Sequence, residues 1–295
     1  MRLSLLVPFA PAHPREVAGF AKLVRPGGAA RLWQGQGLLL DAHQVVTWLA
    51  GNGLPVPAGF GVSLMPLRSP AQAAVDARSV ALTTGQPVVA GFGPGSAELQ
   101  RGLLGGAYPR PLAVARDYLG AVRATLTGAP FPVEVPPVEI GLGVLRPGMA
   151  RVAGEVADVA ITWLTPASYL ERTLWPALRS APRALPEPIR VTAIVPVALD
   201  GPGRDPAALV TAACGAHVRA PHYRDMLRQA GVDEPDPHRL IDEGVFLYGS
   251  AADIRKRLDE FAAAGVDEVV LNATGTAAVH GPRAAAGDLL ALLKS

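Results

Sequence analysis

Short apolar runs rich in Val, Ile and Leu alternate along the chain with segments whose apolar residues recur at helical spacing. Several of the runs are continuously hydrophobic, which is typical of parallel strands covered on both faces. Strands that alternate with helices predict an α/β fold with a parallel sheet. The pattern predicts eight strands: Leu3–Val7, Arg31–Gln34, Gly59–Met65, Pro87–Gly91, Val138–Gly143, Asp158–Leu164, Ile189–Ala198 and Glu268–Asn272.

Two of the intervening segments carry clear helix signals. In Pro111–Leu126, apolar residues recur every three or four positions and form one face. Ser250 and Asp253 have the spacing of a capping box, which predicts that a helix begins there. Gly265 is predicted to close that helix, because glycine readily adopts the conformation that ends helices.

The number of strand–helix units indicates how the sheet is arranged. About eight such units closed on themselves form a (β/α)8 TIM barrel of roughly 250 residues. We therefore predict one TIM-barrel domain over residues 1–295, with insertions Ala97–Pro137 after strand four and Asp200–Gly244 after strand seven. An open doubly wound sheet is the alternative.

Composition narrows the classes of partner. The chain is 49% hydrophobic and 18% charged, and its net charge is +2 with both signs interspersed. This pattern argues against nucleic acid and favours a small-molecule or peptide substrate. Its single cysteine, Cys214, allows no internal disulfide and suits a reducing cytoplasm. No apolar stretch approaches the roughly 20 residues that span a bilayer, so no membrane contact is predicted.

Three strands contain a Gly–apolar–Gly sequence: Gly59–Gly61, Gly91–Gly93 and Gly141–Gly143. Glycine weakens a strand, so its presence there needs a reason. A ligand that must approach the backbone closely is one reason, and bulges or tight barrel corners are another. The repetition favours a ligand, held against several strand ends.

Two turns after these strands are candidates for binding phosphate. In the first, Gly143 leads through Arg146 to Pro147, which suits the first turn of a helix. The N–H groups of Gly148 and Met149 are predicted to be free there, beside the cationic Arg146, so that an anion can bind. An ordinary strand-to-helix turn is the alternative.

The second turn is Gly91–Ser96. It is not a dinucleotide-binding fingerprint, because its third glycine falls early and a helix does not clearly follow. The backbone at Gly93, Gly95 and Ser96 is a candidate anion nest, and a plain loop is the alternative.

Polar and aromatic residues follow other strands. Trp163 and Thr165 end strand six, where Trp163 is either a wall for a ring or core filler. His43 follows strand two, with Asp41 as a predicted helix N-cap, and is either a proton donor or a solvated residue. His222 and Tyr223 lie in the seventh connection with His217. The spacing of the two histidines is not that of a helical metal pair, so no metal is predicted.

Four stretches together resemble the bacterial luciferase-like superfamily, whose members are flavin- or deazaflavin-dependent oxidoreductases on a (β/α)8 barrel. The resemblance implies a cofactor ring in the barrel mouth and phosphate held by loops after the strands. It also implies a non-proline cis peptide near the end of strand three, matched here by Val62, Ser63 and Leu64, beside Gly61. The stretches that carry it are Met65–Ala71, Thr84–Gly93, Ala153–Asp158 and Ala264–Val270.

Within the superfamily, Arg31–Gln36 and Gly59–Arg68 are similar to the subgroup that uses coenzyme F420 and is encoded with lanthipeptide maturation enzymes. Those enzymes reduce dehydroalanine or dehydrobutyrine to D-amino acids. The resemblance thus implies hydride transfer from reduced F420, with His43 as the first candidate proton donor and His222 or Tyr223 as the second. An FMN-dependent monooxygenase that uses O2 and a non-catalytic barrel subunit are the alternatives. Relatives are commonly dimers, which implies a homodimer.

Overall fold

Parallel pairing closes eight strands of this chain into a barrel. The computed structural model describes residues 1–128 and 133–294. Hydrogen-bonded pairs run in order around the ring, and β1 pairs with β9 while β6 pairs with β7, so the ring has no edge strand. The strands are β1 Arg2–Leu6, β2 Leu32–Gln34, β3 Ala58–Leu64, β4 Val88–Gly93, β5 Val138–Gly143, β6 Val159–Trp163, β7 Arg190–Leu199, β8 Leu247–Gly249 and β9 Glu268–Asn272.

The predicted TIM barrel is therefore confirmed, and the open doubly wound alternative is wrong. All eight predicted strands are present within a residue or two of their predicted bounds. The short strand β8 was not predicted; it pairs with the carboxyl end of β7, outside the ring.

Helices cover the outside of the barrel. The capping box at Ser250 is present, with the Ser250 hydroxyl accepting from the Asp253 N–H and the Asp253 carboxylate accepting from the Ser250 N–H. No helix of the described residues is long and apolar enough to cross a membrane. The helices are α1 Ala18–Ala21, α2 Ala42–Gly51, α3 Pro70–Thr84, α4 Ala97–Leu104, α5 Pro111–Thr127, α6 Pro147–Val156, α7 Ala167–Tyr169, α8 Trp175–Arg179, α9 Pro206–Val218, α10 Pro221–Gln229, α11 Pro237–Asp242, α12 Ala251–Ala263, α13 Thr274–His280 and α14 Pro282–Lys294.

Short 3-10 turns, Pro14–Val17 and Met65–Leu67, and a π-helical turn at Leu170–Leu174 join some of these elements. The insertion after β4 contributes α4 and α5, although residues 129–132 of the predicted segment lie outside the described part. The insertion after β7 contributes α9, α10 and α11.

The six glycines of the three Gly–apolar–Gly sequences face the barrel interior. The residues between them, Phe60, Phe92 and Leu142, pack outward in the layers between the strands and the helices. Gly59, Gly91 and Gly141, called here the lower glycines, lie nearer the amino-terminal end of the barrel. Large side chains from the facing strands fill the space that they leave. A Cβ on Gly59 would overlap Trp33, and one on Gly91 would overlap Ile161. A Cβ on Gly141 would lie 2.7 Å from Ile161 Cδ1.

This packing corrects part of the sequence interpretation. The glycines do converge on one region, since Gly91 pairs directly with Gly141 across β4 and β5. The lower ones, however, make room for the side chains of the barrel core rather than for a ligand. Only Gly93 and Gly143 lie at strand ends, where the barrel opens.

Gly91→Ala is expected to destabilise the fold by about 3 kcal/mol, because the added methyl overlaps the Phe60 carbonyl oxygen as well as Ile161. Urea unfolding of the purified variant measures this loss. The matched control is Gly120→Ala in α5, where a Cβ meets nothing within 4 Å and the free energy of unfolding should rise by roughly 0.5–1 kcal/mol. Equal stabilities for the two variants would contradict the packing explanation.

A buried charge cluster closes the amino-terminal end of the barrel. The Glu268 carboxylate accepts hydrogen bonds from the Ser4 hydroxyl at 2.6 Å, the Trp33 indole at 2.7 Å and the Arg31 guanidinium at 3.0 Å. Arg190 pairs with Glu139 beside it. Burial lowers the pKa of Arg31, and the attraction of Glu268 partly offsets that shift. These side chains fill the amino-terminal end of the barrel.

Candidate active site

Four ring-bearing residues of three elements form a wall at the carboxyl end of the barrel. Trp163 ends β6, and its ring lies 5.3 Å from the His217 ring on α9. Tyr223, on α10, lies 5.2 Å from His217, and His222 lies 4.8 Å from Tyr223. The insertion after β7 therefore connects His222 and Tyr223 to Trp163 through His217, and the catalytic roles of His222 and Tyr223 stay predictions.

Burial shifts the pKa values of the titratable side chains in this wall. It raises the pKa of Tyr223, so the phenol keeps its proton at neutral pH. It lowers the pKa of His217, with a further contribution from His222. The pKa of His222 is lowered by burial and then by Arg146, so both imidazoles are neutral at pH 7. Among the described residues, no group of three or more His, Cys, Asp or Glu side chains is arranged to hold a metal ion.

The helix that begins at Pro147 lies beside this wall. Arg146 occupies its N-cap position, and Arg146 Nη1 lies 3.1 Å from Asp225 Oδ2 on α10. Hydrogen bonding with Arg146 lowers the pKa of Asp225. Arg146, His222 and Tyr223 are therefore brought together by one ion pair between α6 and α10.

The structure corrects the prediction of two free N–H groups at this helix. The Met149 N–H donates to the Arg146 carbonyl at 3.1 Å, so it is already used within the turn. Gly148 is the residue whose N–H has no carbonyl within the helix to bond, as at any helix start. A Cβ on Gly148 would lie 3.3 Å from Leu112 Cδ1, the end of a flexible side chain.

The turn after β4 is a strand-to-helix connection, which corrects the statement that no helix clearly follows it. Ser96 caps α4, with its hydroxyl accepting from the Leu99 N–H at 3.1 Å. Gln100 donates to the carbonyl oxygens of Pro94 and Gly95, both at 3.0 Å. Gly95 adopts a positive φ of 71°. The side chain of Ser96 thus serves its own helix, and an anion nest at this turn stays a prediction.

Strand β3 contains a non-proline cis peptide between Gly61 and Val62, immediately before the predicted stretch that forms its last three residues. Val62 then lies across the ends of the neighbouring strands. Its γ-carbons lie 2.7 Å from the position of a Cβ on Gly93 and 3.2 Å from that on Gly143. Ser63 is buried and Leu64 half-buried beyond it. Val62 and the bare backbone of two strands therefore form a floor at the barrel mouth, beside Trp163 on the neighbouring strand β6.

His43 is held in a different part of the molecule. Its ring stacks on Phe60 at 4.0 Å, and Nδ1 lies 3.1 Å from Asp41 Oδ1. That hydrogen bond is the largest cause of the lowered pKa of Asp41, which also pairs with Arg68. Because Phe60 faces the helix layer, His43 lies outside the barrel wall. The structure does not bring it to His222 and Tyr223, and its role as proton donor stays a prediction.

Several buried polar atoms at the mouth have no hydrogen-bond partner among the described residues. They are Trp163 Nε1, His217 Nδ1 and Asn272 Nδ2. Thr165 differs, since its hydroxyl donates to the Trp163 carbonyl at 3.1 Å. Sequence reasoning missed Asn272, because an asparagine at a strand end is also an ordinary turn residue. Buried polar groups without partners are costly, so these atoms indicate where a ligand binds.

The sequence of this chain matches a known protein family. A family model described as luciferase-like monooxygenase matches residues 1–268. The chain belongs to this luciferase-like family. Membership in this family supports the prediction that the protein is an enzyme of the oxidoreductase class. It also confirms the resemblance to the luciferase-like superfamily that the sequence indicated. A sequence search of curated proteins finds no match.

Solved structures share the fold of this luciferase-like protein. An F420-dependent secondary alcohol dehydrogenase in complex with an F420–acetone adduct is 15% identical, with a TM-score of 0.73 and 92% of each chain covered. A coenzyme F420-dependent tetrahydromethanopterin reductase from Methanopyrus kandleri is 19% identical, with a TM-score of 0.73 and 98% and 96% covered.

An FMN-bound structure is similar to the same degree. It is the oxygenating constituent of 3,6-diketocamphane monooxygenase from Pseudomonas putida, a type II Baeyer–Villiger monooxygenase, at 16% identity. Its TM-score is 0.71, and 100% of this chain and 97% of that chain are covered. At such identities the likeness shows the fold alone, so the comparisons do not separate F420 from FMN.

Proposed function

We propose that this luciferase-like protein is an F420-dependent oxidoreductase that transfers hydride to an organic acceptor. The observation that carries the proposal is the floor of Val62 over Gly93 and Gly143, beside the unpartnered indole N–H of Trp163 on the neighbouring strand. A flat tricyclic ring needs a floor of small side chains and bare backbone, with an aromatic wall beside it. The resemblance of residues 31–36 and 59–68 to the F420-dependent subgroup supports F420 over FMN, and two solved neighbours of the same fold are F420-dependent.

The residues present fit such a group. The ring would lie on Gly61, Val62 and the ends of β4 and β5, and its phosphate at Gly148 and Arg146. When bound, reduced F420 supplies a hydride. The chain's own task is to orient the acceptor, exclude water and hold a proton nearby. Tyr223 is suited to the last task because it stays protonated at neutral pH.

The acceptor that we propose is a dehydroalanine or dehydrobutyrine residue in a lanthipeptide precursor. Support for this narrower step comes from the sequence resemblance to the lanthipeptide-associated subgroup. A peptide acceptor requires an open groove at the mouth. The homodimer is likewise a proposal, which light scattering of the purified protein tests.

Titration of the purified protein with F420 and with FMN, followed by turnover with a panel of acceptors, tests the proposal. We expect F420 to bind and its visible absorbance to change when a dehydrated peptide is added. Tight FMN binding with O2 uptake would instead identify a monooxygenase. Binding of neither ring by a normally folded protein would identify a non-catalytic barrel.

Arg146→Ala is expected to weaken F420 binding by about tenfold, because a charge-assisted hydrogen bond to phosphate contributes roughly 1.5–3 kcal/mol. Fluorescence titration of the cofactor measures the change. Asp225→Asn is the matched control: it removes the carboxylate that competes for Arg146 at 3.1 Å, so affinity should stay equal or rise. Equal losses in both variants would mean that the ion pair, rather than Arg146 itself, shapes the site.

A further inference from the structure

Asn272 is the last residue of β9 and is fully buried. Side chains alternate along a strand, and Val270 packs in the barrel interior while Glu268 bonds there to Trp33. Asn272 therefore also faces the interior, at the carboxyl end where the barrel opens.

The orientation of this amide is determined by its neighbour. Asn272 Oδ1 accepts from the Thr274 N–H at 3.0 Å and from the Thr274 hydroxyl at 2.5 Å. A backbone N–H can donate only to the oxygen of the amide, so the NH2 group must point the other way. Nδ2 is buried and has no partner among the described residues. The fold thus holds a rigid pair of N–H donors toward the mouth.

Trp163 offers a second unpartnered donor at the same mouth. Trp163 pairs with Ile194 on β7, and Asn272 pairs with Pro196 two residues further along the same strand. The two side chains therefore flank β7. Asn272 is on β9, which stands opposite β4 and Gly93 in the ring, whereas Trp163 is on β6, the neighbour of β5 and Gly143. Indole and amide N–H groups donate and cannot accept, so this side of the mouth recognises oxygen atoms that accept hydrogen bonds.

We propose that Asn272 Nδ2, together with Trp163 Nε1, binds the carbonyl oxygen of the acceptor, which makes the substrate an α,β-unsaturated carbonyl compound. This inference rests on the proposed function. Asn272 is assigned to the acceptor rather than the cofactor because β9 stands opposite β4 in the ring, while the floor for the cofactor ring lies on β3, β4 and β5.

The proposed reduction explains why N–H donors would be placed at the carbonyl oxygen of the acceptor. Hydride adds to the β-carbon of C=C–C=O, the π electrons move to the carbonyl oxygen, and that oxygen carries the negative charge. One proton then adds at the α-carbon, which restores the carbonyl, while reduced F420 becomes oxidised. Fixed N–H donors aimed at the charged oxygen stabilise this step most. A dehydroalanine amide has this arrangement of atoms.

Asn272→Asp tests the inference, because the carboxylate still accepts from Thr274 but removes the donor. Binding of cyclohex-2-enone and of N-acetyl-dehydroalanine methylamide to the cofactor-free protein is measured by calorimetry, and F420 binding by fluorescence. We expect the affinity for at least one carbonyl probe to fall about tenfold, with F420 affinity within about threefold and kcat lowered about 100-fold.

Controls separate the possible outcomes. Asn52→Asp, at the far end of α2, should leave all three readouts unchanged, and Thr274→Val should give an intermediate loss of probe affinity because one contact to Oδ1 is removed. The inference is overturned if the wild type binds neither probe, if Asn272→Asp binds the probes as the wild type does, or if it loses F420 instead. Failure of the proposed function is distinct, since it appears as absent F420 binding by the wild type, and the probe comparison does not depend on it.

Discussion

Gly148→Asp is expected to lower the affinity for F420 by about 100-fold or more. The substitution puts a carboxylate at the start of α6, where the phosphate is proposed to bind beside Arg146. Two like charges about 4 Å apart repel by about 4 kcal/mol at an effective dielectric constant of 20. Fluorescence titration of the cofactor at low and high salt measures the loss, and part of it should be relieved by salt.

Gly148→Ala is the matched control for this experiment. Its Cβ lies 3.3 Å from the end of the Leu112 side chain, which can move aside, so F420 affinity should stay within about threefold. If Gly148→Asp binds F420 as tightly as the wild type does, the turn from Gly143 to Met149 is not part of the site.

Glu268→Leu is expected to lower the free energy of unfolding by about 3–5 kcal/mol, because it removes the closer carboxylate partner of the buried Arg31 and leaves only Glu139, at 3.9 Å, among the described residues. The side chains of Arg31 and Glu268 are 7% and 2% exposed, so water cannot replace the lost contact. Ser4 and Trp33 also lose their acceptor. Urea unfolding of the variant measures the effect.

The double variant Arg31→Leu/Glu268→Leu separates charge from packing. Removing both members of a buried ion pair is often close to neutral, so the double variant should recover much of the loss. Glu139→Gln, at a side chain that is 26% exposed, should cost less than Glu268→Leu. A double variant no more stable than Glu268→Leu would mean that the carboxylate acts mainly through Ser4 and Trp33.

Local patterns explain why the elements could be predicted from the sequence. Each strand is a compact hydrophobic run, and the helix start at Ser250 is specified by residues three apart. Helix α4 was missed because its capping serine follows a glycine-rich turn that also suits a loop. These signals depend on neighbouring residues, so they survive without knowledge of the tertiary structure.

The grouping of the candidate site residues could not be predicted from local patterns, because it depends on the closed barrel. The sequence identified Trp163, Arg146, His222 and Tyr223 as candidates, but their meeting depends on how α9 and α10 lie over the barrel mouth, through contacts between residues far apart in the chain.

By itself, the sequence determined the eight strands of the ring, the start of α2, the helices α5, α6 and α12, and the (β/α)8 fold, because hydrophobic periodicity and capping act over a few residues. Only the tertiary structure decided that the lower glycines accommodate Trp33 and Ile161, that His43 lies outside the barrel wall, and that Asn272 presents unpartnered donors at the mouth. The reason is physical: which side chains fill a barrel or remain unpaired depends on strand register and closure, and these join residues from opposite ends of the chain.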